Sequence, residues 1–205
     1  MIQIQGGQYR SRRLVTPKGS DTRPTSSKLR AALCDASQGL IVGAKVLDLF
    51  AGSGAMGLEL LSRGASACTF VENNRKAMEC LQQNVSSLGL ESRTQVIFGD
   101  VFKVIAGLQH KFDYVYVDPP YKAGFEVRLF SLEVVNSWAL ILEPEAMVAV
   151  EWSPKVKRGG QVDFTCGGSF VVMRDKAYGD TQLTQLVWVG AQKNREEAPH
   201  DQTIT

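Results

Sequence analysis

Four consecutive residues, Asp118-Pro119-Pro120-Tyr121, combine an acid, a stiff backbone and an aromatic ring. They follow Phe112-Asp113-Tyr114-Val115-Tyr116-Val117, an alternating run of strand formers. Two prolines end such a strand, because neither has an N–H for the ladder and each fixes its own φ. Asp118 can then accept one N–H of a planar amine and the Pro119 carbonyl a second, while Tyr121 stacks on the ring that bears it. The lone pair of an amine on a nucleobase is delocalised into the ring, which makes it a poor nucleophile. Holding both hydrogens turns that lone pair toward an electrophile. The nitrogen becomes strongly acidic once alkylated, so no powerful base is needed, and Asp118 or water can take the proton. This chemistry suggests methyl transfer to an exocyclic nitrogen. A rigid turn with an aspartate cap is the structural alternative.

A site for the methyl donor is readable upstream. Gly52-Ser53-Gly54-Ala55-Met56-Gly57 has the GxGxxG spacing after the strand-like Lys45-Val46-Leu47-Asp48-Leu49-Phe50. Gly52 and Gly54 are expected to let a ligand approach the backbone, and the following helix N-terminus adds donors. Glu72 stands twenty residues after Gly52 at the end of the next strand, where an acid accepts hydrogen bonds from ribose hydroxyls. This pair signals a nucleotide without choosing which. Two acids favour S-adenosylmethionine: Asp48, expected to face a ligand ammonium, and Asp100, expected to bind an adenine amino group. A nicotinamide dinucleotide carries no such ammonium. For either acid, capping the following helix is the alternative.

These residues need elements to position them, and the apolar pattern supplies strands and helices in alternation. Strands are predicted over 45–50, 67–71, 94–98, 112–117 and 146–151. Helices are predicted over 54–63, 75–88, 101–108 and 125–138, and a short helix through Leu29, Ala32 and Leu33 follows the N-cap candidates at 25–27. Residues 169–174 and 182–189 flank Tyr178-Gly179 with no helix between them, as in an antiparallel hairpin. The expected fold is α/β and Rossmann-like, with a mostly parallel seven-stranded sheet, a C-terminal antiparallel hairpin and a short basic N-terminal extension. One domain over residues 1–190 and a polar, disordered tail over 191–205 are expected.

Composition narrows the function classes. The chain has 205 residues, 44% of them hydrophobic, enough for one sizeable core. Neither a membrane-spanning run nor a signal-peptide layout is visible, so a cytoplasmic monomer is expected. Cys34, Cys68, Cys80 and Cys166 have no CxxC spacing, and the two histidines, His110 and His200, are isolated. No metal site or histidine-based catalysis is expected. No cysteine lies near the tetrad in sequence, which argues against covalent attack on a pyrimidine carbon. Residues 1–30 hold seven of the 23 basic residues but one of the 21 acidic ones. A basic arm on a slightly acidic body is the footprint of a nucleic-acid partner.

The motifs are also similar to those of a known family. Val46-Leu-Asp-Leu-Phe-Ala-Gly-Ser-Gly54 with Asp118-Pro-Pro-Tyr121 resembles the S-adenosylmethionine-dependent amino-methyltransferases. The flanks, Ile4-Gln-Gly-Gly-Gln-Tyr-Arg-Ser-Arg-Arg-Leu14, Asp21-Thr-Arg-Pro-Thr25 with Arg30, and Arg174-Asp-Lys-Ala-Tyr-Gly-Asp-Thr181, resemble the bacterial 16S ribosomal RNA guanine-N2 methyltransferase D family. Ser11, Ala31 and Tyr121 depart from that family's usual residues. The resemblance implies methylation of N2 of one guanine in 16S rRNA within a small-subunit particle. Asp48, Gly52, Gly54, Glu72 and Asp100 are assigned to the donor, and Asp118, Pro119 and Tyr121 to the base. Arg10, Arg12, Arg13, Arg23, Lys28 and Arg30 are assigned to RNA, with core ion pairs as the alternative for Arg23 and Arg30. The competing readings are a DNA adenine-N6 methyltransferase, which has little room here for a target-recognition region, an NAD-dependent oxidoreductase and a non-catalytic RNA-binding factor.

Overall fold

The computed structural model describes residues 2–17, 27–120, 124–154 and 162–191. Tyr121, Arg23 and all of the expected tail except Ala191 lie outside these. The chain opens with a two-stranded antiparallel hairpin, β1 (Ile2–Gln3) and β2 (Arg13–Leu14), with Ile2 opposite Leu14. Helices α1 (Ser27–Ala36) and α2 (Gln38–Ile41) lead into β3 (Lys45–Leu49), α3 (Ala55–Ser62), β4 (Ala67–Glu72), α4 (Arg75–Leu88), β5 (Thr94–Phe98), α5 (Val101–Gly107) and β6 (Phe112–Val117). Then come α6 (Phe125–Leu129), α7 (Val135–Ile141), β7 (Leu142–Trp152), β8 (Phe170–Tyr178) and β9 (Thr181–Trp188).

Seven strands form one sheet in the order β5-β4-β3-β6-β7-β9-β8. The first five are parallel, and β9 pairs antiparallel with both β7 and β8. This is the expected Rossmann-like α/β sheet with its terminal hairpin. Parallel strands need helical crossovers, so both faces are covered and the central strands are apolar on both sides. One core joins Val46, Phe70, Tyr114 and Tyr116 to α1, α3 and α4. The other joins Leu47, Leu49, Val115 and Val117 to α5, α6 and α7.

Three predicted elements differ, the first strand of the C-terminal hairpin by running on to Tyr178 rather than ending at Arg174. The single helix expected over 125–138 is two helices, α6 and α7. The Trp138 indole N–H donates to the Leu129 carbonyl at 2.7 Å, taking the acceptor that a continuing helix would use. The Ser131 hydroxyl likewise donates to the Arg128 carbonyl at 2.8 Å, closing α6. Phe130 then turns inward to stack on Trp138, with ring centroids 5.9 Å apart. The last parallel strand starts at Leu142 rather than Ala146. Its pairing with β6 shifts register between Phe112 and Tyr114, and Glu145 has a left-handed φ of 62°. Pro144 falls in this irregular stretch, where its missing N–H is tolerated.

The N-terminal hairpin is docked on the body. Helix α3 is buried from Met56 through Ser62, although a surface helix exposes one side. The hairpin covers that side. Glu59, 0% exposed, accepts the Gln5 N–H at 2.7 Å, the Gly6 N–H at 2.9 Å and the Arg63 Nε–H at 2.8 Å. The Ser62 hydroxyl accepts the Tyr9 N–H at 2.9 Å and donates to the Gly6 carbonyl at 2.5 Å. A buried carboxylate survives only with such partners. Glu59→Ala leaves Arg63 and two amides without this acceptor and should lower stability by about 3 kcal/mol. The measurement is the urea midpoint at unchanged slope. A wild-type midpoint would mean that Glu59 does not hold the hairpin.

Candidate active site

The parallel strands run outward in opposite orders from β3, so β3 and β6 flank the topological switch point, where open α/β sheets bind ligands. The register aligns what stands there. Ile97, Val71, Leu49, Val117 and Val150 pair across five strands. One residue further along come Phe98, Glu72, Phe50, Asp118 and Glu151. The acid expected to meet a ribose and the acid expected to meet an amine therefore share one row, with Phe50 between them.

The glycine loop leaves β3 at Phe50, whose φ of 62° lies in the left-handed region. Its ring meets Phe125 edge-on at 5.5 Å, and Phe125 stacks on Phe102 at 6.0 Å. The Arg128 guanidinium lies 3.7 Å from the Phe102 ring centroid. This aromatic group joins the first turns of α5 and α6 to the start of the loop. Sequence reasoning missed it. Each of these residues alone looks like ordinary core, and only the fold brings them together.

The two loop glycines assigned to the donor have different roles. A Cβ on Gly52, at φ +55°, would meet nothing within 4 Å, so this backbone faces open space that a ligand can fill. A Cβ on Gly54, at φ +82°, would stand 2.3 Å from Leu81 of α4. Gly54 allows the start of α3 to pack closely against α4 and stands at the N-cap of α3.

The acids are strongly engaged. Glu72 Oε2 accepts the Gly52 N–H at 2.6 Å, and Oε1 accepts the Asn73 and Asn74 N–H groups at 2.8 and 2.6 Å. Asp48, 1% exposed, accepts the Gly57 N–H at 2.9 Å in the first turn of α3. It lies under the loop and supports the backbone above it. Asp100 caps α5, accepting from Phe102 at 3.1 Å and Lys103 at 3.3 Å. The capping alternative is thus present, and Asp100 remains exposed at the strand end. Asp118 is half-buried and Pro119 buried directly after β6.

Among the residues assigned to RNA, Arg10, Arg12, Arg13 and Lys28 are exposed. Arg30 is not. It is 2% exposed, and its Nη2 donates to the Gln3 carbonyl at 3.0 Å. Burial lowers its pKa, opposed by the charges of Glu59 and Glu151. Arg30 is a core cation tying α1 to β1, which corrects its assignment to RNA. Beside it, the Tyr116 hydroxyl donates to Glu151 Oε2 at 2.5 Å.

Comparisons agree with this architecture. The family model described as conserved hypothetical protein 95 matches residues 2–187. Ribosomal RNA small subunit methyltransferase D of Escherichia coli (strain K12) is 36% identical over 150 residues, or 73% of this chain and 74% of that protein. Its namesake in Haemophilus influenzae is 31% identical over 154 residues, or 73% and 78%. The solved structure of yhhF from Escherichia coli matches with a TM-score of 0.77 at 30% identity, covering 93% of this chain and 99% of that one.

Asp48 gives a pH signature. Burial pushes its carboxyl from 3.8 up to about 7; the Gly57 hydrogen bond opposes the shift and the Glu72 charge adds to it. Between those values the folded chain holds a proton that the unfolded chain has lost. Stability from this group is therefore greatest below about pH 4 and declines as pH rises toward 7. Asp48→Asn, which keeps an acceptor for Gly57, should flatten that decline. Urea midpoints at a series of pH values check this, and equal slopes in the two proteins would mean that Asp48 is already ionised when folded.

Proposed function

The chain belongs to the ribosomal RNA small subunit methyltransferase D family, and on that premise we propose that it transfers a methyl group from S-adenosylmethionine to the exocyclic N2 amine of a guanine in 16S rRNA. The observation that carries this reading is the juxtaposition of the glycine loop and Asp118-Pro119 at the strand ends flanking the switch point. The open backbone at Gly52 and the acid beside it fit an adenosine-bearing donor. Glu72, Gly52 and Asp100 would hold that donor, with Asp48 and Gly54 shaping the loop. When bound, S-adenosylmethionine supplies an electrophilic methyl group.

The chain's own residues prepare the amine. Asp118 accepts one N–H and the Pro119 carbonyl the other, which orients the lone pair. Tyr121 stacks on the base, and the departing proton goes to Asp118 or water. Arg10, Arg12, Arg13, Lys28 and Arg23 engage phosphates of the small-subunit particle. Work on ribosomal RNA implies a cytoplasmic protein. Among the described residues no helix is long and apolar enough to cross a membrane.

Labelled S-adenosylmethionine and small subunits lacking the modification test the reading. Nucleoside analysis should return N2-methylguanosine, and N6-methyladenosine would overturn the assigned base. Asp118→Ala should lower single-turnover transfer by about a thousandfold while donor affinity stays within about threefold. Retained transfer would remove Asp118 from the reaction.

A further inference from the structure

Asn84 of α4 is 0% exposed, and its side chain binds two segments distant in sequence. Its Oδ1 accepts the Val15 N–H at 2.7 Å. Its Nδ2 donates to the Val15 carbonyl and to the Ser53 carbonyl, both at 2.9 Å. Val15 directly follows β2 of the basic hairpin, two residues after Arg13. Ser53 is the middle of the glycine loop, between the open Gly52 and the packed Gly54. A single buried amide therefore satisfies both backbone groups of an arm residue and one carbonyl of the loop. The same turn of α4 holds the arm a second time, where Arg12 Nη2 donates to the Ser87 carbonyl at 2.9 Å. The Ser87 hydroxyl in turn donates to the Asn84 carbonyl at 2.9 Å.

A shift of either segment alone would leave a buried donor or acceptor of Asn84 unmatched. The hairpin has only two paired residues per strand, too few to fix its own stance. Its orientation is set by what it docks on: Glu59 and Ser62 at one end, Asn84 and Ser87 at the other. The Asn84 end is the one in contact with the loop.

We infer that Asn84 is a positioning residue that couples the two binding regions: a nucleoside seated on the glycine loop steadies the Ser53 carbonyl and, through the Asn84 amide, the Val15 end of the arginine-bearing arm. The inference rests on the proposed donor and RNA roles of those regions. Coupling of this kind is reciprocal, so nucleoside and RNA each tighten the binding of the other. A mere staple would add stability and leave the two affinities independent.

Hydrogen exchange of the full-length chain with and without saturating S-adenosylhomocysteine tests this. In the wild type, amides of residues 13–16 should slow by about fivefold or more together with those of the loop. In Asn84→Ala the loop amides should still slow and the arm amides should not. Correspondingly, S-adenosylhomocysteine should tighten wild-type binding to small ribosomal particles by about fivefold or more and leave Asn84→Ala binding unchanged. Arm exchange that ignores the nucleoside in the wild type overturns the inference, as does arm protection that persists in Asn84→Ala. The wild-type result decides on its own if the variant does not fold. A wild-type loop that does not respond to S-adenosylhomocysteine removes the donor reading itself, and the coupling with it.

Discussion

Two carboxylates at the carboxyl ends of β3 and β4 hold the glycine loop by its backbone amides, and the rest of the site depends on them. Glu72 gathers the N–H groups of Gly52, Asn73 and Asn74, and Asp48 takes that of Gly57. Orphan amides at the start of a helix and in a tight turn are costly when buried, so these acids decide where the loop can lie. The left-handed Phe50 and Gly52 are tolerated because the loop is fixed at both ends. A carboxylate offers about four lone-pair directions, so three amides leave Glu72 capacity for one more donor. A ribose hydroxyl in the proposed donor would use that remaining capacity without undoing the loop.

The basic N-terminus follows the same logic. Its charge pointed to a nucleic-acid partner and said nothing of what the arm packs against. Glu59, Ser62 and Asn84 offer buried polar groups on the outer sides of α3 and α4, and the hairpin satisfies them. This is why α3 is buried all round and why the exposed arginines are carried on a docked platform. A docked arm loses less conformational freedom on binding a polyanion than a loose one.

The parts of the structure that repeat locally were legible in the sequence. Helix α4 and strands β5 and β6 lie at their expected bounds because period and capping residues are local signals. The parallel sheet followed from the alternation of strands and helices. What escaped was set by partners far along the chain. The α6–α7 break depends on one indole reaching Leu129, and nothing near 130 in the sequence announces it. Arg30 was open in sequence between an RNA contact and a core ion pair, and the choice depends on Gln3, Glu59 and Glu151 in space. Asp48 lies at the strand end that the motif implied, but its contact with Gly57 is a property of the folded turn. Tyr121 and Arg23 lie outside the described residues, so the base-stacking and arm assignments rest on sequence there.

The distribution of charge then constrains how the proposed substrate must approach. The row one residue past the Leu49–Val117 pair carries Glu72, Asp118 and Glu151, with Asp100 exposed two residues past Phe98. The nearby Arg30 is buried in the core, where the charges of Glu59 and Glu151 act on it. Such an edge attracts a cationic donor and repels phosphate. In the proposed reading the RNA backbone is held instead by the exposed arginines of the hairpin. Only an uncharged group, such as a base turned out of its stack, can enter between Phe50 and Asp118 without that repulsion. On this view, placing the arginines on a separate docked hairpin is what keeps the acids needed for the amine away from the polymer that carries it.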